Sequence, residues 1–329
     1  MSFVVRVVVL NWNGRSWLSG CLNALRQQDF RRFEVVVVDN GSTDGSAVFV
    51  RAHFPECRVV ALDSNAGFAA GNNAGARGAT SQYLAFLNND TQVDPGWLTA
   101  LVAAAEGDPT VGLVASRIVF MDCPEIIDSA GDGYLRCGGA FKHEHGGPVA
   151  GCAGSREVFG ACGAAFLIRR DLFETLGGFD EDFFLVYEDV DLSYRARVRG
   201  ARCVYADDAR VAHAGSATLG RVSEMAVYHG QRNLEWTWIK NSPRALLLRS
   251  LPSHVLYNLA GLAAYARAGQ LGAWWRGKVA ALIGLPAVLR KRREVQRTAT
   301  ADPDALWTLM ERDWVTIKRR EKSFDLHVK

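Results

Sequence analysis

Four groups of side chains in this sequence could do chemistry. Asn88-Asn-Asp90 directly follows the apolar run Tyr83–Leu87. A carboxylate at a strand end, flanked by amides, offers oxygen ligands to a hard cation such as Mg2+ or Mn2+, which often shares them with a diphosphate, although the same residues also suit a turn. Further on, six carboxylates crowd the twelve residues from Asp180 to Asp191, interleaved with bulky apolar residues. Burial beside apolar groups raises a carboxyl pKa, which is how a general base is tuned, and acidic residues in a first helical turn also complement the helix dipole. Both roles fit here: Glu188 or Asp191 caps, leaving Asp189 as the reactive group. His213, in Val211-Ala-His-Ala-Gly-Ser216, follows a strand and precedes small residues that leave room for a ligand. Asp39 and Asn40 close a second apolar strand, where a carboxylate can accept a hydrogen bond from a nucleobase N–H or a ribose hydroxyl.

The elements that must position these groups alternate between strand and helix periods. Val4–Leu10, Phe33–Val38, Val59–Leu62 and Gln82–Leu87 read as strands; Ser16–Gln28 and Gly67–Gly78 read as helices between them. Alternation at this spacing predicts βαβ units and a mostly parallel sheet covered on both faces, with ligands beyond the carboxyl ends of the strands. That rule gathers Asn11–Gly14, Asp39–Thr43, Asn65–Phe68 and Asn88–Asp90 around one crevice. The first turn, Asn11-Trp-Asn-Gly14, lacks the glycine pattern of a dinucleotide fold, so phosphate charge is expected to meet a cation. Residues 121–160 are Gly-rich and without periodicity, as in a functional or mobile loop. Within them, Lys142-His-Glu-His145 with Cys137 and Cys152 has spacing too irregular for a zinc site. Gly163–Arg169 and Ala201–Tyr205 read as later strands, and Glu188–Arg199 as a helix.

About half of the 329 residues are apolar and 22% are charged, which excludes a disordered chain or a coiled coil. The seven cysteines contain no C-x-x-C pair and read as free thiols of a reducing compartment, and the opening apolar run, interrupted by Arg6, is too short for a signal peptide. Charge divides unevenly. From Lys240 to Lys329 there are 17 Lys/Arg against 7 Asp/Glu; before that there are 21 against 28. An acidic body and a basic tail suggest two jobs. The longest uncharged tail stretch, Ser250–Ala266, contains Pro252, His254 and Asn258 and falls short of a membrane span. Ala273–Lys278 and the helix running into Arg290-Lys-Arg-Arg293 pair indoles with cations, as in a helix lying in an anionic headgroup layer; a helical cap on the body is the plainer alternative.

Five motifs in order, Val7–Gly14, Val37–Ser46, Asn65–Asn73, Phe86–Thr91 and Gly178–Arg195, resemble family 2 inverting glycosyltransferases of the GT-A fold, and within them the rhamnosyltransferase-type branch of bacterial cell-surface polysaccharide synthesis. The resemblance covers residues 3–240 and, less sharply, the tail with Arg232, Asn233 and Trp236. It implies an α/β GT-A fold, Rossmann-like and mostly parallel, over residues 1–240, with a basic amphipathic helical extension over 241–329 suited to membrane-surface attachment. By the same resemblance, Asn11, Trp12, Asp39, Asn40, Asn65, Phe68 and Asn89 would bind the nucleotide. Asp90 and His213 would hold Mg2+ or Mn2+, with Asn88 and Asn89 standing where carboxylates are usual. Asp189, with Glu188, would be catalytic, and Trp97, Cys162, Gly163 and Asp191 would face the acceptor. The implied reaction moves a sugar, leaning to L-rhamnose from dTDP-rhamnose, onto a hydroxyl of a glycan or a polyprenyl-diphosphate-linked sugar. The alternatives are a UDP-sugar donor, a non-catalytic sugar-nucleotide-binding scaffold, or a nucleotidyltransferase, which lacks its usual phosphate loop here. The expected partners are the nucleoside diphosphate sugar, the glycan or lipid-linked acceptor and a membrane surface, with no nucleic acid; self-association stays open. The expected location is the cytoplasm, on the inner face of the cell membrane.

Overall fold

A computed structural model describes residues 3–215 and 223–327; Ser216, the last residue of the His213 motif, lies outside them. The first half follows the expected alternation: β1 (Val5–Asn11), α1 (Arg15–Arg26), β2 (Phe33–Asn40), α2 (Ser46–His53), β3 (Arg58–Leu62), α3 (Gly67–Ala76) and β4 (Tyr83–Asn88). Next come β5 (Thr91–Val93), α4 (Trp97–Glu106), β6 (Val111–Phe120), β7 (Ile127–Ser129), β8 (Asp132–Tyr134), β9 (Ala140–Lys142), β10 (Arg156–Val158) and β11 (Ala165–Arg169). After α5 (Arg170–Thr175), α6 (Glu188–Val198) and β12 (Arg202–His213), the chain is helical: α7 (Glu224–Asn241), α8 (Arg244–Arg267), α9 (Leu271–Ile283), α10 (Leu285–Arg297), α11 (Pro303–Leu309) and α12 (Trp314–His327).

The main sheet runs β10-β12-β6-β11-β4-β1-β2-β3, with β5 on β12 and β7 on β6; β8 and β9 form a separate hairpin. Pairs β3-β2, β2-β1, β1-β4 and β6-β12 are parallel, while β11 is antiparallel to both neighbours. Period-2 side chains divide the core between the two faces. Val5, Val7, Val9, Val35 and Val37 join Leu18, Leu22 and Leu25 of α1 and Leu98 and Leu101 of α4. Val8, Val36, Val38, Leu84 and Phe86 join Ala69 and Ala76 of α3 and Leu192 and Ala196 of α6. Helix α3 lies so close to β1 that a Cβ at Gly75 would stand 2.4 Å from Val8, so its small residues serve packing.

Two expectations need correction. Residues 121–160 are a web of short strands rather than an irregular loop: Ile127, Asp128, Ser129, Asp132, Tyr134 and Phe141 are all buried. Trp97 is not at an acceptor surface. As the first residue of α4 it is fully buried in the core, and its indole N–H donates to Ser116 Oγ at 2.9 Å. Trp97→Ala is therefore expected to lower unfolding stability by about 3–5 kcal/mol, read by urea denaturation, without changing donor affinity of the folded fraction.

The tail is tied to the body throughout. Lys240 pairs with Asp180 and Asp191; Lys291 pairs with Asp180 at 2.5 Å and Asp182 at 2.6 Å; Arg292 donates to the carbonyls of Ile239 and Ser242. Among the described residues, no helix is long and apolar enough to cross a membrane.

Candidate active site

The polar residues at the strand ends form two connected networks. Asn11, at the end of β1, is fully buried; it donates from Nδ2 to Ser42 Oγ (3.2 Å) and Asp39 Oδ1 (3.4 Å) and accepts from Asn89 Nδ2 (2.6 Å). Asn40 donates to Asn65 Oδ1 at 3.0 Å and accepts from the Ala66 amide at 2.9 Å, and Asn65 caps the Gly67 amide. Phe68 packs edge-on against Phe179, and Trp12 stands partly exposed at the lip. Among the expected nucleotide residues, Asn11, Asp39 and Asn89 are thus joined by hydrogen bonds and largely buried, with Asn89 preceding Asp90, and Asn40 and Asn65 form a second pair.

Asp90 and His213 meet although 123 positions separate them: Nε2 of His213 lies 3.5 Å from Oδ1 of Asp90, and the Ala214 amide donates to the Asp90 carbonyl. The residue behind this pair, Asp128, is absent from the sequence reading. Its Oδ2 binds His213 Nδ1 at 2.8 Å and its Oδ1 binds Lys142 Nζ at 2.8 Å, while its carbonyl takes His145 Nδ1 at 2.7 Å. Burial pushes the Asp128 carboxyl up, but Lys142, His145 and His213 outweigh it and hold it well below the usual carboxylate range. Burial pushes the His213 imidazole down, but Asp128 and Asp90 lift it to about 9. The Lys142–His145 patch is therefore spent on Asp128 and is no zinc site.

Asp189 sits in the first turn of α6, half-buried. Its Oδ2 accepts from the Gly163 amide at 2.7 Å and its Oδ1 from the Val190 amide at 2.8 Å. Gly163 has to be small, because a Cβ there would stand 2.9 Å from that same Oδ2. One polar atom each of Asp189, Asp132 and Cys162 lies within 4.8 Å of the others. Burial raises both carboxyl groups; Asp132 is raised well above the usual range, with the Asp189 charge adding to burial, and burial also raises the Cys162 thiol. The Gly163 and Val190 amides work against burial at Asp189, so Asp132 is the more strongly raised of the two. Lys142 pulls on both carboxylates and links them to the Asp128–His213–Asp90 chain.

The two neighbours of Asp189 in the acidic run behave differently. Glu188 is buried with Oε2 unpaired, and burial followed by the Asp189 charge raises its carboxyl well above the usual range. Asp191, expected at the acceptor, is fully buried and binds Arg195 at 2.8 Å, Lys240 at 2.8 Å and Asn241 at 2.8 Å, so it ties α6 to α7 instead. Just before the run, Phe184, Val186 and Tyr187 hold left-handed φ of 60°, 64° and 79°. Such strain costs about 1–3 kcal/mol per residue and persists only where surroundings enforce it. Here Asn233 of α7, itself fully buried, donates to the carbonyls of Phe183, Leu185 and Val186 and latches the turn that presents Asp189. Asp128, Asp132 and the latching of Asn233 had no periodic signal in the sequence, because their partners come from distant segments.

A sheet of this order, with hydrogen-bonded polar residues at its strand ends, a carboxylate–histidine couple and an amide-held aspartate, defines a GT-A glycosyltransferase. The chain belongs to glycosyl transferase family 2, whose profile matches residues 6–177. It is 29% identical over 258 residues to the N-acetylglucosaminyl-diphospho-decaprenol L-rhamnosyltransferase of Mycobacterium tuberculosis, covering 70% of this chain and 82% of that one. It is 34% identical over 207 residues to the O-antigen biosynthesis protein RfbC of Myxococcus xanthus, covering 59% of this chain but only 16% of that one. Among solved structures it is similar to S. aureus TarS (TM-score 0.57, 17% identity, 99% of this chain and 92% of that one). It is also similar to the mannosyltransferase PcManGT of Pyrobaculum calidifontis with GDP-Man and Mn2+ (TM-score 0.55, 22% identity, 94% and 86%). At these identities the solved structures bear on the fold alone.

Proposed function

We propose that this enzyme is an inverting, divalent-metal-dependent transferase that moves a sugar from a nucleoside diphosphate to a hydroxyl of a glycan or a polyprenyl-diphosphate-linked sugar. The observation that carries this reading is the Asp189 carboxylate, fixed by two backbone amides in the crevice that also holds the Asp90–His213 couple. On this reading Asp189 accepts the proton of the attacking hydroxyl. The neutral Asp132 carboxyl beside it orients that hydroxyl, and a base positioned this way contributes about 10²–10⁴ in rate. Asp39, Asn11 and Asn89 hold the nucleotide, and Gly163 and Cys162 line the acceptor side.

The donor set suits a cation. His213 commits Nδ1 to Asp128 and keeps Nε2 directed at the Asp90 carboxylate, the arrangement in which a carboxylate fixes the tautomer of a ligating imidazole. Asp90 and His213 are the residues that would hold Mg2+ or Mn2+, and such a cation offsets charge growing on the leaving diphosphate. Asp128→Asn is accordingly expected to weaken Mn2+ binding by about 10–100-fold, measured by electron paramagnetic resonance titration of the nucleotide-free protein. Unchanged Mn2+ affinity would detach Asp128 from that task.

L-rhamnose from a dTDP donor is the favoured donor, supported by the mycobacterial relative; a UDP-sugar donor is the alternative. The test is a panel of sugar nucleotides scored by thermal stabilisation with and without Mg2+, followed by nucleotide release with acceptor present. Stabilisation by dTDP-rhamnose and release on adding a polyprenyl-diphosphate-linked sugar are expected. Donor binding with no release in any combination would leave a sugar-nucleotide scaffold as the correct reading.

A further inference from the structure

The outer face of the tail helices is the least water-suited surface of the molecule. Of the seventeen large apolar side chains exposed among the described residues, eleven lie on α8, α9 and α10. On α8, Leu248, Leu251, Val255 and Leu259 repeat at helical spacing along one stripe, exposed by 45–64%. Buried Leu246, Ser250 and His254 mark the opposite, packed side. Helix α9 repeats the division: Trp274 and Ala281 turn inward, while Trp275 and Leu282 are 61% and 70% exposed. A groove of about 300 Å³ lies between the helices, walled by Val255 and Leu259 of α8, by Trp274 and Lys278 of α9 and by Glu235 of α7. Exposed apolar area this concentrated marks an interaction site.

Charge selects the partner. From Arg244 to Arg293 there are nine Lys/Arg and no Asp or Glu. Lys278, Lys291 and Arg292 are used internally, on Glu235, on Asp180 and Asp182, and on backbone carbonyls. Arg267, Arg290 and Arg293 remain exposed around the apolar stripes. Arg249 and Arg276 meet the surface carboxylates of Asp304 and Glu224. With Arg267, Arg290 and Arg293 exposed beyond these pairs, the apolar ridge carries an excess of positive charge and is complementary to a lipid headgroup layer carrying negative charge. We infer that the α8–α9 face docks on an anionic bilayer, seating Leu251, Val255 and Leu282 among the acyl chains and the arginines among the phosphates.

The same helices position the catalytic crevice. The turn of the β8–β9 hairpin is fixed to the inner side of α8, where His254 Nδ1 binds the Cys137 carbonyl at 2.8 Å, and its open end pairs Asp132 with Lys142 beside Asp189. One helix diameter plus one short hairpin put the docking face on the order of 30 Å from Asp189, which keeps that residue within reach of a sugar carried above the bilayer surface. That purpose rests on the lipid-linked acceptor proposed above; the docking itself does not.

The test is co-sedimentation of the full chain with phosphatidylcholine vesicles, with and without phosphatidylglycerol, alongside transfer to a short water-soluble acceptor. The wild type is expected to sediment with the anionic vesicles, and less so as salt rises. Leu251→Asp combined with Leu282→Asp, and separately Arg290→Ala with Arg293→Ala, should each weaken that binding by at least about tenfold, leaving donor affinity and soluble transfer unchanged. Retained donor affinity shows that the variants fold. Wild-type protein that ignores anionic vesicles, variants that bind as the wild type does, or a wild-type dimer that the leucine variant converts to monomer would overturn the inference; the last would place a second copy on this face. Failure of soluble transfer in every protein would instead fall on the proposed reaction.

Discussion

Asp189→Asn is expected to bind donor nucleotide as tightly as the wild type and to lose about 10²–10⁴ in kcat. The substitution keeps the size of the side chain, but it removes the basic lone pair and turns one of the two oxygens, each of which accepts from a backbone amide, into a donor that gives up either the Gly163 or the Val190 bond. Because the residues proposed to hold the nucleotide, Asn11, Asp39, Asn40 and Asn89, hydrogen-bond among their own neighbours and not to Asp189, affinity should be spared. The informative control is Asp132→Asn. Burial and then the Asp189 charge raise Asp132, so the two groups titrate as a pair, and replacing Asp132 by an uncharged amide should remove its titration from the pH profile without abolishing turnover. A burst experiment separating chemistry from release, together with calorimetric nucleotide titration, decides the matter. Full turnover in Asp189→Asn would remove the base assignment.

The second large effect is at Asp90. Asp90→Ala removes the only carboxylate of Asn88-Asn-Asp90 and the partner of His213 Nε2. The expected outcome is loss of Mn2+-dependent donor binding by at least about 100-fold, with metal-independent nucleoside binding through Asp39 and Asn11 retained. Titrating a nucleoside and its diphosphate, each with and without Mn2+, separates these contributions. Equal metal dependence in the variant and the wild type would place the cation elsewhere.

Much of the catalytic half was legible in the sequence because strand and helix periods are local properties. The runs Val7–Leu10, Phe33–Val38 and Gln82–Leu87 could bury themselves only in a covered sheet, and polar residues at their carboxyl ends could only line its crevice. The departures have one physical pattern. Trp97 stands next to a turn and looks available, yet as the first residue of α4 it is buried in the core, because a large indole gains more from burial with its N–H satisfied by Ser116 of β6 than from exposure. Asp191, three residues into α6, faces α7 and its lysine. Trp274 and Trp275 are neighbours in sequence but fall on opposite sides of α9, one in the body and one in solvent.

Taken alone, the amino-acid sequence determined the βαβ order, the crevice at the strand ends, Asp90, Asp189 and His213 as the groups able to do chemistry, and a tail with an excess of positive charge. Where those groups sit relative to one another was decided by the tertiary structure. It placed Asp128 behind His213 across 85 positions, set Asp132 against Asp189, and used Asn233 to hold three left-handed residues in the turn before the base. It also sorted the tail's cations into those consumed by Asp180, Asp182 and Glu235 and those left facing outward. The reason is that periodicity and residue type act over a few neighbours along the chain. The pKa of a carboxylate, the tautomer of an imidazole and the exposure of a leucine depend on what distant segments bring within a few ångströms, and only the folded chain fixes that.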